Sequence, residues 1–195
     1  MLIIGLTGSP CTGKTYFSKQ ISKQFKNIKV IELNDIINKY KAFFSIDADG
    51  AKIADIAKLN SILETQIREL AQSIEKNIDA IVYVSHLVPE LKIRFDACFV
   101  MRAKLMLLNK RMIKRGYSKS KIKENLISEA VDYCGAEAEA KHTCMHIYEI
   151  ETPAEKKMAE KIIRIMIKSK KTNITKKEMS ALVSMPNIDK IPELL

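Results

Sequence analysis

Cysteine is scarce and unpatterned in this chain of 195 residues: Cys11, Cys98, Cys134 and Cys144 show no CxxC spacing. A disulfide framework is therefore not expected, and the thiols read as reduced. Cys134, His142, Cys144 and His146 do supply four possible metal ligands, the last three alternating along one strand face. Zinc ligands usually come in tight turn-forming pairs, so these residues are expected to be packed or on the surface instead. Long apolar runs are absent as well. A stretch such as residues 80–84 falls far short of the roughly 18 to 20 residues that cross a bilayer, and no charged n-region opens the chain. No membrane partner is expected, and the protein reads as soluble and cytoplasmic, or nuclear if eukaryotic.

Acidic residues are in deficit. Thirty-three Lys and Arg stand against 23 Asp and Glu, a net charge of +10, which favours polyanionic partners such as nucleotides, RNA or acidic proteins. At 47% apolar and 29% charged residues, the chain has material for a core, and disorder as its main state is excluded.

Short apolar runs at residues 1–6, 28–33, 79–84, 95–101 and 144–150 read as strands, most of them buried. Between them, apolar residues three and four apart predict helices over 14–25, from Asn34 or Asp35 to 40, over 51–76, 105–113, 118–140 and 153–168. Residues 41–50 carry no clear period. Strands alternating with helices predict an α/β fold, a three-layer arrangement with a five-stranded parallel sheet and helices on both faces. A domain over 1–168 with a basic extension over 169–195 is expected, with Lys168, Lys170, Lys171, Lys176 and Lys177 around their junction.

Gly8-Ser9-Pro10-Cys11-Thr12-Gly13-Lys14-Thr15 fits GxxxxGK[ST], between the first strand and the first helix, the context in which that pattern is a phosphate-binding loop. Its glycines let successive backbone N–H groups converge on phosphate oxygens at a helix N-terminus. Lys14 is expected to reach the β- and γ-phosphates of ATP, and Thr15 to ligate Mg²⁺. The loop does not name the acceptor. No Asn-Lys-x-Asp guanine motif occurs, which argues against a switch GTPase. Small kinases of this architecture insert an acceptor flap after the second strand and a basic flap in the C-terminal half. For the latter, residues 102–124 hold nine basic side chains against one acidic, around a break at Gly116-Tyr117; a mobile cationic lid suits phosphoryl transfer.

Gly8 to Thr15, the Ser85-His86 turn, and above all Lys114-Arg115-Gly116-Tyr117-Ser118, followed by Lys121 to Asn125 and Ser128-Glu129, resemble the adenylate-kinase-like coilin-interacting nuclear ATPase family. The resemblance spans about residues 1–168 and weakens over 41–50. It implies a P-loop nucleoside monophosphate kinase fold, adenylate kinase and ATPase activities with ATP, AMP and Mg²⁺, and a part in small ribosomal subunit maturation through a ribosomal protein of the platform. Carried onto this chain, it implies ATP contacts from Gly8, Cys11, Gly13, Lys14, Thr15 and Tyr16, a monophosphate flap over about 32–55 with Asn34 and Asp35, and a lid over about 114–124 with Arg115 on the phosphates. His86 matches a histidine of the family's Asp-x-His motif, linked to positioning attacking water or the acceptor.

Two departures stand out. Val84 replaces the Asp of Asp-x-His, the usual Walker B carboxylate; Asp79 lies at the wrong end of that strand, and Asp35 is the available substitute. No arginine occurs over residues 1–67, so Lys39, Lys41, Lys52 or Lys58 must meet the acceptor's phosphate, as point charges without the guanidinium fork. Three roles remain open: a monophosphate kinase with ATPase activity, an ATP-dependent ribosome assembly factor with vestigial kinase activity and possible rRNA contact, and a small-metabolite kinase.

Overall fold

The computed structural model describes residues 1–48, 50–72, 78–142, 146–151, 157, 160–164 and 166–167. The chain divides into two compact units, Met1–Thr152 and Pro153–Leu195, a boundary earlier than the expected 168/169 junction. In the second unit the described positions are helical, in keeping with the helix expected over 153–168. The extension 169–195 lies outside the described residues.

The first unit opens with strand β1 (Leu2–Thr7), helix α1 (Lys14–Gln24), β2 (Ile28–Glu32) and α2 (Leu33–Tyr40). A hairpin, β3 (Phe43–Ile46) and β4 (Lys52–Ala54), precedes α3 (Ile56–Gln72). Then come β5 (Ala80–Val84), a 3-10 turn at Val88–Glu90, β6 (Ala97–Arg102), α4 (Leu105–Lys114), α5 (Lys119–Ala130), α6 (Tyr133–Lys141) and β7 (His146–Glu151). The large sheet has five strands in the order β2-β5-β1-β6-β7, and every pair in it is parallel. This is the α/β architecture expected.

Parallel strands need both faces covered, which is why β5 is buried along its whole length. Ile81, Tyr83, Cys98 and Val100 share a core with Ile36 and Ile37 of α2, Leu59 and Leu63 of α3, and Ala138 of α6. Helix α1 packs against β1, β2 and β5 and buries Phe17 and Ile21, spaced four apart as an amphipathic helix requires.

Two expectations about elements are corrected. Within the stretch that carries no clear period, Phe43–Ile46 form a strand, and the helix expected from 51 begins at Ile56: β3 and β4 pair antiparallel with a bulge between Phe43 and Ser45. The hairpin is closed by Asp47, whose backbone N–H donates to the Ala51 carbonyl at 2.8 Å and whose carboxylate accepts from the Ala51 N–H at 2.7 Å. The helix expected over 118–140 is two helices. Asp132 takes a left-handed conformation with φ 52, and its carboxylate is gripped by the Arg102 guanidinium. That guanidinium also pairs with the buried Glu129 at 3.1 Å and with Glu149 at 3.7 Å. A tertiary ion network thus overrides the local helical pattern.

Candidate nucleotide site

At the carboxyl end of β1 the chain turns through Gly8 at φ +130, where an added Cβ would lie 2.2 Å from the carbonyl oxygen of Met101. Only glycine passes so close to a neighbouring strand. The loop is braced by Ser9, whose carbonyl accepts from the Thr12 hydroxyl at 2.9 Å. It ends at Gly13, which begins α1 at φ 108 with no side-chain cap. The first-turn N–H groups of α1 are thereby left to an anion.

The Lys14 ammonium folds back over this loop and donates to the carbonyls of Gly8 at 2.6 Å and Ser9 at 2.9 Å. Burial pushes it down to about 8, against smaller opposing effects from Cys134, Cys11, Glu32 and Glu129. Carbonyl dipoles are weak partners for a desolvated cation. Phosphate oxygens in their place would restore its charge.

Lys14 and Thr15 stand at the edge of a cavity of about 710 Å³, which Cys11, Gly13 and Tyr16 also line. Glu32, Asn34 and Asn38 form a second wall, Asp47 and Lys52 of the hairpin a third, and Val84, Ser85 and His86 the end of β5. Arg115, Tyr117, Lys121 and Asn125 close it from the α4–α5 connection. That connection is tied down on both sides. Arg111 donates to the Cys11 carbonyl at 2.9 Å and Arg115 to the Cys11 Sγ at 3.4 Å, while Lys121 pairs with Asp47 at 3.5 Å.

The comparisons with known proteins agree with this geometry. A family model described as an AAA domain matches residues 4–132. A protein of Methanosarcina mazei provisionally named adenylate kinase is 34% identical over 187 residues, 89% of this chain and 92% of its own. One with the same provisional name in Methanocaldococcus jannaschii is 33% identical over 150 residues, 76% of each chain. The chain belongs to this adenylate-kinase-like family of P-loop proteins. A crystal structure of an uncharacterized protein from Eubacterium ventriosum shares the fold, with a TM-score of 0.51 and 12% identity over 87% of this chain and 99% of that one.

For this adenylate-kinase-like chain, one cavity gathers Cys11, Gly13, Lys14, Thr15, Tyr16, Asn34, His86 and Arg115 out of the residues expected from sequence; Gly8 does not line it, but its carbonyl accepts from Lys14. Asp35 is elsewhere. It lies on the exposed side of α2, whose buried side is Leu33, Ile36 and Ile37, and does not line the cavity. Of the four candidate lysines only Lys52 lines it, held by Asn38 and lying over the Phe43 ring at 4.6 Å. Lys39 lies over Tyr40, 5.1 Å from the ring centroid, and Lys58 donates to the Lys41 carbonyl at 3.3 Å. Arg102, counted among the basic lid residues, is committed to Glu129, Asp132 and Glu149 instead.

His86 opens into the cavity, yet the protein packed around it and the Lys14 and Lys121 charges push its imidazole down to about 4. It is therefore neutral at physiological pH, able to accept a proton or a hydrogen bond. The residue that sequence reasoning missed is Glu32, whose carboxylate accepts from the Ser18 hydroxyl at 2.9 Å. Its signal was position: it is the last residue of a parallel strand, at the end where ligands bind in open α/β sheets.

The oxygen donors on the cavity wall, the Thr15 hydroxyl with the Glu32 and Asp47 carboxylates, have the hard chemistry that Mg²⁺ takes. Among the described residues no group of three or more His, Cys, Asp and Glu is placed to form a metal cage. Cys134 is buried, His142 stands edge-on to Phe95, and His146 stacks on Tyr148; Cys144 lies outside the described residues. No described helix is long and apolar enough to cross a membrane.

Proposed function

We propose that this chain is a nucleoside monophosphate kinase that transfers the γ-phosphoryl group of ATP to AMP, giving two ADP, and that it also hydrolyses ATP. The observation that carries the reading is the convergence of Lys14, Thr15, His86, Lys52 and Arg115 on one cavity. In that reaction the bond between the γ-phosphorus and the β,γ-bridging oxygen breaks as one forms to a phosphate oxygen of AMP, or of water in the ATPase reaction. Catalysis is mostly positioning and charge neutralisation.

Lys14 exchanges the Gly8 and Ser9 carbonyls for phosphate oxygens, and Arg115 leaves Cys11 for the transferring group. Lys52 meets the acceptor's phosphate. Neutral His86 accepts a hydrogen bond from the attacking water or orients the acceptor. Thr15 would hold Mg²⁺, which would supply charge neutralisation on the phosphates. The relatives' provisional name supports this assignment of substrate.

A second reading makes ATP binding and slow hydrolysis a switch that releases a small-subunit ribosomal protein of the platform, with rRNA contact, during ribosome maturation. The observations favouring it are Val84 at the cavity wall in place of a carboxylate and the net charge of +10. ADP formation from ATP and Mg²⁺, with and without AMP, separates the two. AMP-dependent ADP, two for each ATP consumed and lost in Lys14→Ala, is the expected result. AMP-independent turnover, stimulated by a ribosomal partner, would overturn the first reading in favour of the second.

A further inference from the structure

A cavity walled by Lys14, Lys52, Arg115 and Lys121 has to hold a divalent cation beside four positive side chains, and charge balance calls for a carboxylate close to Thr15. The end of β5, next to the loop strand, offers only Val84, Ser85 and His86. Among the described residues two carboxylates line the cavity, Glu32 and Asp47. Asp47 is committed to the Lys121 ammonium and to the turn of its own hairpin. Asp79 sits at the opposite end of the sheet, its backbone N–H bonded to the Asn27 carbonyl and its carbonyl to the Leu2 N–H.

Glu32 is placed differently. In the β2–β5 register its Cα partner is Val84, so its carboxylate stands at the level of the valine, one strand over. Neighbouring strands lie about 4.8 Å apart, and glutamate is one methylene longer than aspartate. Ser18, 1% exposed, links this carboxylate to the phosphate loop. Its Oγ lies 2.9 Å from Glu32 Oε1 and 3.1 Å from the Thr15 carbonyl oxygen, with one proton to share between them. Oε2 makes no hydrogen bond among the described residues. The Glu32 charge is also close enough to act on the Lys14 ammonium.

We propose that Glu32 is the carboxylate that supports Mg²⁺ beside Thr15, taken from β2 where β5 has none, with Ser18 as the residue that positions it. This assignment rests on the nucleotide-site reading above. Mg²⁺ gives up its waters reluctantly, so Glu32 acts chiefly by accepting hydrogen bonds from the ion's hydration shell, and Oε2 is the oxygen left for that.

The test is calorimetric binding of a non-hydrolysable ATP analogue, with excess EDTA and across a Mg²⁺ titration, to the parent protein, Glu32→Gln, Glu32→Asp and Ser18→Ala. The parent is expected to bind more tightly with Mg²⁺. Glu32→Gln should need about tenfold or more Mg²⁺ for the same effect, the usual cost of losing an outer-shell metal partner, while its metal-free binding is kept or strengthened, because one negative charge beside the phosphates is gone. Glu32→Asp and Ser18→Ala should fall between. A Glu32→Gln protein with the parent's Mg²⁺ dependence overturns the assignment and leaves the nucleotide reading standing. Loss of metal-free binding in Glu32→Gln also overturns it, because the residue would then be shaping the loop. A parent that binds no analogue under either condition brings down the nucleotide reading and this assignment with it.

Discussion

The guanidinium of Arg115 donates to the Cys11 Sγ at 3.4 Å, joining the end of α4 to the middle of the phosphate loop. A thiol is a weak acceptor, so the contact holds the arginine at the phosphate loop only weakly. Arg115→Ala is expected to lower phosphoryl transfer about 100-fold or more, the scale of losing one charge-stabilising donor, with ATP affinity changed far less. Steady-state kcat and KM for ATP check this; a pure KM effect would place Arg115 in ground-state binding.

Lys14 predicts a pH dependence of both stability and binding. Its folded-state value is lowered to about 8 from 10.5, so between those values the unfolded chain holds a proton that the folded chain has released. Stability therefore rises with pH across that window. ATP binding restores the charge and takes up the proton, so affinity should fall by up to tenfold per pH unit above about 8. Unfolding and binding curves at pH 7.5 to 10 measure both, and Lys14→Met should flatten them.

His86, held down to about 4, stays neutral through the acidic range where an unperturbed histidine would charge. Turnover should show no His86-dependent loss between about pH 8 and 5. His86→Ala should lower kcat about 100-fold or more with KM for ATP little changed. A kcat inflection near pH 6.5 that disappears in His86→Ala would contradict the neutral assignment.

Lys52 is the only one of the four flap lysines on the cavity wall. Lys52→Met should raise KM for AMP about tenfold, the order of one charge-assisted hydrogen bond, and leave AMP-independent phosphate release unchanged. Equal effects on both reactions would remove it from the acceptor site.

Arg102 serves the fold. Its guanidinium neutralises Glu129, which is 4% exposed, and grips the turn at Asp132. Arg102→Met leaves that buried carboxylate without its countercharge, held among the described residues only by the Ala103 N–H, at an expected cost of about 3 kcal/mol. Urea unfolding should show it as a lower midpoint, with nucleotide affinity retained.

Some of this was local enough to read along the chain. The phosphate loop, its strand and its helix depend on glycine conformations and backbone N–H groups within eight residues, Gly8 to Thr15, and a parallel sheet follows from buried β-branched runs such as Ala80–Val84. Gly116 marked the break between α4 and α5 in the same way, at φ 71. The β3–β4 hairpin was harder. Its strands are short, bulged and largely exposed, so no apolar alternation marks them, although the Asp-Gly pair at 49–50 was a turn signal.

What the sequence by itself determined is the chemistry that neighbouring residues make together: a phosphate-loop motif, a basic segment around Gly116 and the alternation of strand and helix. What only the tertiary structure decided is which distant side chains complete it. Asp35 and Glu32 are three residues apart on the chain. Helix α2 turns the first to solvent, while the end of β2 and the buried Ser18 direct the second to the cavity. The break between α5 and α6 likewise comes from Arg102, some 30 residues upstream of Asp132. Through-space electrostatics and burial made these choices, and neither has a period that a sequence window can register.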